Sequence, residues 1–137
     1  MARNLMWIEY AQVHIQIIKF DVITNFGQFR FSLTEDKPDF VIIMFDILNE
    51  PSYRSVPEYY NKIINDNPNA EICICGNKVD EQNRVVRPSQ IVFHKKHNLK
   101  YYDLSVKSCY NFDKLLKYFI EIYIKKMIDT LHIKNIK

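Results

Sequence analysis

Two short polar runs in this chain hold side chains that can read a purine. They are Asn77-Lys78-Val79-Asp80 and Ser105-Val106-Lys107. A carboxylate such as Asp80 can accept hydrogen bonds from guanine N1–H and from the exocyclic amino group. Adenine offers neither in that arrangement, so the carboxylate would stay unpaired, which disfavours it. Asn77 can bridge the base edge and its own loop, and the aliphatic stem of Lys78 can lie over the purine face. Backbone N–H groups of Ser105, Val106 and Lys107 can meet the guanine carbonyl. Taken alone, a four-residue pattern is short, and a solvated turn accounts for it equally well.

Other reactive residue types point to structure. Cys73 and Cys75 stand two apart in an apolar run, without partner ligands at zinc spacing, which suits a buried strand. With Cys109 they make an odd count of three, which forms no disulfide framework and fits a reducing compartment. His94 and His97 lie three apart with lysines between them and no acidic or thiol partner at ligand spacing. The chain has 137 residues and two glycines, Gly27 and Gly76, where average usage of roughly 7% would give about ten. Within these residues there is accordingly no P-loop of the form GxxxxGK[ST], no dinucleotide fingerprint and no GxSxG nucleophile elbow.

The elements that must carry the two runs can be read from apolar periodicity. Ile15–Ile23 is rich in β-formers, and Val41–Asp46 and Glu71–Gly76 are short apolar runs of the kind buried in a parallel sheet. Pro51–Asn67 reads as one helix, with Ser52 or Ser55 as cap and Asn67-Pro68 as its stop. Pro88–Asn98 reads as a second helix, and Lys100–Leu104 as a strand. From residue 111 to about 134, Phe112, Leu116, Phe119, Tyr123, Met127 and Leu131 recur at helical spacing, so this stripe is expected to pack on the sheet. The alternation implies one three-layer α/β domain over residues 1–137. In such sheets ligands sit beyond the carboxyl ends of the strands, where residues 77–80 and 105–107 fall.

Charge is unevenly placed. Residues 1–83 hold 7 basic and 12 acidic side chains, and residues 84–137 hold 12 and 4. A solvated basic face explains the second half better than nucleic-acid binding, since no aromatic-interleaved basic motif is present. No apolar run approaches the roughly 18 residues of a membrane span. The expectation is a soluble intracellular domain with no membrane partner.

Two base-contacting loops, each after a strand and separated by one helix, are a more specific signal than either loop. With their surroundings they resemble the small GTPases, and within them the Ran branch that serves nuclear transport. The likeness is carried by Ile42-Ile-Met-Phe-Asp46, Cys75-Gly-Asn-Lys-Val-Asp80, Ile91-Val-Phe-His94 and Asn98-Leu-Lys-Tyr-Tyr-Asp103. Ser105-Val-Lys-Ser108 and Tyr110-Asn-Phe112 extend it, and Lys19-Phe-Asp-Val22 with Gly27-Gln28 match more thinly. It spans about residues 17–120. The resemblance implies a small-GTPase fold of the P-loop NTPase type with a mostly parallel sheet, here without the P-loop strand and first helix. It makes Asn77, Lys78 and Asp80 the guanine-specificity loop and Ser105, Val106 and Lys107 the second base loop. GTP or GDP is then the implied ligand, nuclear-transport receptors the implied partners, and nucleus and cytoplasm the implied location.

The departures fall on the phosphate side. The family's Asp-Thr-Ala-Gly-Gln stands here as Thr24-Asn25-Phe26-Gly27-Gln28. Gly27 keeps the position that approaches the γ-phosphate, and Gln28 keeps the side chain that orients the attacking water. Thr24 replaces the acidic partner of the Mg²⁺ shell, which leaves that metal without its charge. Two readings compete: a Ran-like GTPase hydrolysing GTP with Gln28 positioning the water, or a non-catalytic pseudo-GTPase module or truncated gene product. The missing phosphate cradle favours no turnover by these residues. The Leu5–Ala11 segment is expected to supply either a substitute central strand or a hairpin strand.

Overall fold

The computed structural model describes residues 3–10, 13–21 and 38–136, with side chains over 38–131. It divides into two compact units, Met1–Phe31 with Lys117–Lys137, and Ser32–Leu116.

In the first unit, β1 (Arg3–Tyr10) and β2 (Val13–Asp21) pair antiparallel, from Arg3 opposite Asp21 to Tyr10 opposite Val13. The register slips once between Met6 and Ile8, the signature of a bulge. Of the two roles expected for the Leu5–Ala11 segment, the hairpin is the one that forms.

The second unit is built on three parallel strands in the order β3 (Phe40–Asp46), β4 (Glu71–Asn77) and β5 (Lys100–Asp103). Among the described strands β3 pairs with β4 alone, and β4 takes the centre. Ile72–Gly76 are buried without a break, as befits a strand covered on both faces. Ile72, Ile74 and Gly76 point to one face and Cys73 and Cys75 to the other. The two thiols are fully buried with their Sγ atoms 3.9 Å apart, the strand position expected for them. Ile43, Phe45, Ile72 and Ile74 join Ile47, Val56, Ile63, Val86 and Ile91 in one apolar cluster.

The helices depart from expectation in three places. The segment expected to be one helix is two, α1 (Glu50–Arg54) and α2 (Val56–Asp66), broken at Ser55. The cause is Pro57, which has no N–H for the Tyr53 carbonyl four residues back and whose ring crowds it. Asn49, not a serine, caps α1 by accepting the Ser52 amide at 3.2 Å. Asn67 closes α2 ahead of Pro68, as expected, and its buried side chain donates to the Pro38 carbonyl at 2.8 Å.

The helix expected over Pro88–Asn98 is a 3₁₀ turn (Pro88–Gln90) followed by α3 (Phe93–Lys96). Between them Ile91 leaves helical geometry with ψ 90° and buries its side chain in the core. The Val92 and Phe93 amides are taken by the Tyr53 hydroxyl at 3.0 and 3.2 Å, so no helical carbonyl is needed for them.

Finally, α4 runs over Phe112–Ile136, but its apolar stripe is divided. Leu115, Phe119 and Ile120 are buried, whereas Tyr123, Met127 and Leu131 are exposed. The apolar face expected from spacing is thus offset at its start and exposed at Tyr123, Met127 and Leu131. No helix among the described residues is long and apolar enough to cross a membrane.

Candidate functional site: the loops at the carboxyl end of the sheet

All three parallel strands end at one edge, and side-chain hydrogen bonds tie their ends together. At the end of β3, Asp46 accepts the Leu48 amide through Oδ1 at 2.8 Å and the Lys78 ammonium through Oδ2 at 2.8 Å. The nearby Asp46 carboxylate raises the Lys78 pKa above its ordinary value. Lys78 itself holds a left-handed φ of 72°, a conformation that costs a non-glycine residue about 1–2 kcal/mol. That turn sends the chain from β4 toward β5.

At the end of β4, the Asn77 side chain accepts the Val106 amide through Oδ1 at 3.0 Å. Asp80 Oδ1 accepts the Ser105 hydroxyl at 2.8 Å. Ser105 is fully buried and uses its oxygen twice, since it also accepts the Ser108 amide at 3.1 Å. A buried hydroxyl that both donates and accepts is a fixed anchor. Backbone bonds reinforce the bridge, from Leu104 N to the Gly76 carbonyl at 2.8 Å and from Val79 N to the Leu104 carbonyl at 3.3 Å. The second loop is closed by an isolated bridge between Ser105 and Tyr110, with Cys109 and Asn111 left-handed at φ 62° and 65°.

The two polar runs singled out in the sequence are therefore brought together. Asn77, Asp80, Ser105 and Val106 are directly linked, Lys78 is turned onto Asp46, and Lys107 is exposed beside them without joining these bonds. Asp80 is exposed, and Oδ2 accepts no protein hydrogen bond among the described residues. Such a half-anchored carboxylate can receive two donors from a ligand edge. Val106 carries its β-branched side chain half exposed, with its amide already occupied by Asn77. Gly27 and Gln28 lie outside the described residues.

Arg84, Tyr101 and Asp103 were given no role by their spacing. Arg84 donates to Asp103 through Nη1 at 2.8 Å and Nη2 at 3.2 Å, and through Nε to the Val86 carbonyl at 2.6 Å. The Tyr101 hydroxyl donates to Asp103 Oδ1. Burial pushes the Asp103 carboxyl up, but the hydrogen bonds from Arg84 and Tyr101 outweigh it and hold it below the usual carboxylate range. Burial, then the bond to Asp103, pushes the Tyr101 hydroxyl well above its ordinary value. Val79, Asp80, Arg84, Asp103, Ser108 and Tyr110 line one open cleft. Among the described residues no group of three or more His, Cys, Asp or Glu is placed to hold a metal ion.

The model of the Ras family matches residues 6–125. The chain belongs to the Ras family. Its members are small GTPases, and the three-strand parallel sheet with its helices is consistent with that fold. His94 and His97 are engaged in ring packing. His94 stacks on Tyr101 with ring centroids 5.0 Å apart, and His97 packs against Tyr60 and Phe93 at 4.7 and 4.3 Å.

Proposed function

We propose that this chain is a Ran-like member of the family and that it recognises guanine through the loops ending β4 and β5. In this reading Asp80 accepts from N1–H and the exocyclic amine, the Asn77 side-chain amide serves the opposite base edge while its oxygen holds the Val106 amide, and the Lys78 stem covers one face. Ser105 anchors Asp80, and Lys107 flanks the site. The observation that carries the reading is the pair of bonds from Asp80 to Ser105 and from Asn77 to Val106. They hold the only base-reading carboxylate of the two runs in place while leaving one of its oxygens for a ligand. The Ran-like runs around both loops support a place in nucleocytoplasmic transport, with nuclear-transport receptors as partners in nucleus and cytoplasm.

A second reading has its own support. The sequence holds no GxxxxGK[ST] and carries Thr24 where the family has an acidic metal partner. Charge-assisted phosphate contacts contribute about 1.5–3 kcal/mol each, and without them base contacts alone give weak binding without turnover by this polypeptide. Titration with fluorescent GDP, GTP and ADP, with and without Mg²⁺, tests both readings. The expected outcome is weak, guanine-selective binding that ignores Mg²⁺, with Asp80→Ala lowering the guanine preference about 10–100-fold. Tight Mg²⁺-dependent binding would refute the non-catalytic reading, and equal affinity for GDP and ADP would refute base recognition.

A further inference from the structure

The base-reading residues sit at the tips of two loops, and tips are positioned by what holds their necks. Arg84 lies on the chain leaving the Asp80 loop, and Asp103 is the last residue of β5, immediately before the Ser105 loop. Their bidentate pair, 2.8 and 3.2 Å, is therefore a cross-link between the two necks. Guanidinium and carboxylate meet in a planar fork that fixes orientation as well as distance. The third arm of Arg84 fastens it to its own loop through the Val86 carbonyl, and Val85 and Val86 in turn donate to the Ile47 carbonyl at 3.0 and 2.8 Å. On the other side Asn111 Nδ2 holds the Asp103 carbonyl at 2.7 Å. The Arg84 neck is thus fastened beside the end of β3, and the Asp103 neck to the loop that follows it, before the ion pair joins them.

Tyr101 adds a constraint from beneath. Its hydroxyl reaches Asp103 across the position of Gly76, where a Cβ would stand 2.3 Å from that oxygen. Glycine at this point of β4 leaves room for the Tyr101–Asp103 contact. Asp103 and Gly76 are register partners in the parallel sheet, so the carboxylate is set by the sheet and not by a free loop. Arg84 and Asp103 share their cleft with Asp80.

We propose that Arg84, Asp103 and Tyr101 form a positioning clamp that fixes the Asp80 and Val106 loops relative to each other, and thereby sets guanine selectivity without contacting the nucleotide. This rests on the base-recognition reading above. The clamp acts on geometry, so loss of one arm loosens both loops together and leaves the strands intact. The pair is mostly buried, with side chains 22% and 33% exposed, so its loss also costs some stability, and confinement of the effect to the two loops is what marks a clamp.

The full chain with Arg84→Ala, Arg84→Lys or Asp103→Asn tests the clamp by two measurements, fluorescent GDP against ADP binding and amide hydrogen exchange. Arg84→Ala is expected to lower the GDP-to-ADP affinity ratio about tenfold. Exchange at Val79, Val106 and Ser108 should rise about tenfold with it, while Ile74 and Cys75 in β4 keep their protection. Arg84→Lys should recover part of both, since the charge remains but the fork does not. A wild-type ratio and unchanged loop exchange in Arg84→Ala would overturn the clamp, as would a rise in exchange spread equally over β4. If the unsubstituted chain shows no GDP preference, base recognition fails and with it the link to selectivity. Loop exchange then still decides whether the clamp exists.

Discussion

The helix-covered face of the three-strand sheet and the carboxyl end of the same strands are built from opposite chemistry. The face is an apolar cluster in which Phe45 meets Tyr53 at 4.8 Å and Tyr101 at 6.2 Å between ring centroids. Its contacts have little direction, and shape alone limits them. The carboxyl end is made of directed bonds between Asp46, Lys78, Asn77, Val106, Asp80 and Ser105. Burial stabilises the first region and geometry defines the second. Tyr101 belongs to both, with its ring in the cluster and its hydroxyl on Asp103. The bonded strand ends are therefore joined to the core through very few side chains.

Removing core volume should break this comparison most strongly. Ile74→Ala empties a fully buried site in the central strand and is expected to cost about 2–5 kcal/mol in denaturant unfolding. The loops at the strand ends should keep their selectivity as long as the chain folds. Gly76→Ala should reach both regions at once, because the new methyl meets the Tyr101 hydroxyl at 2.3 Å and also Ile47 and Phe45 at 3.0 and 3.1 Å. A loss of about 1–3 kcal/mol of stability is expected, accompanied by reduced GDP preference. A stability loss with wild-type preference would show that the two regions are independent.

The smallest effect is a pH dependence confined to the face. Burial, with a minor contribution from Lys95, lowers the His94 pKa below its ordinary 6.5, so the folded state favours the neutral ring. The unfolded chain then binds more protons between the folded value and about 6.5. Stability is full above that range and falls as pH drops through it toward the folded value. Denaturant midpoints across pH 8 to 5 should show this slope, and His94→Phe should flatten it.

Much of the second unit was legible because buried parallel strands announce themselves as short apolar runs. Val41–Asp46, Glu71–Gly76 and Lys100–Leu104 each match an observed strand to within a residue. The two polar runs were legible as strand-end loops for the same reason, since each follows such an apolar run. What escaped depended on contacts distant in sequence. Periodicity does not show that Tyr53 takes the amides of Val92 and Phe93, nor that the chain beyond Asp80 folds back on Ile47 and presents Arg84 to Asp103. The helix break at Ser55 was a local signal passed over, since Pro57 removes a donor in mid-segment. Spacing gave α4 its length but not its buried face, which runs through Leu115 and Ile120 as well as Phe119.

The left-handed turns have an energetic consequence for both loops. Lys78, Cys109 and Asn111 all carry side chains at positive φ, and each holds about 1 kcal/mol of backbone strain that glycine would not. That strain is returned whenever a loop opens and its backbone relaxes. The hydrogen bonds therefore overstate how firmly the loops are latched, and opening is easier than their number suggests. A chain so poor in glycine thus makes its tight turns with side-chain-bearing residues, at a cost the loop hydrogen bonds must offset.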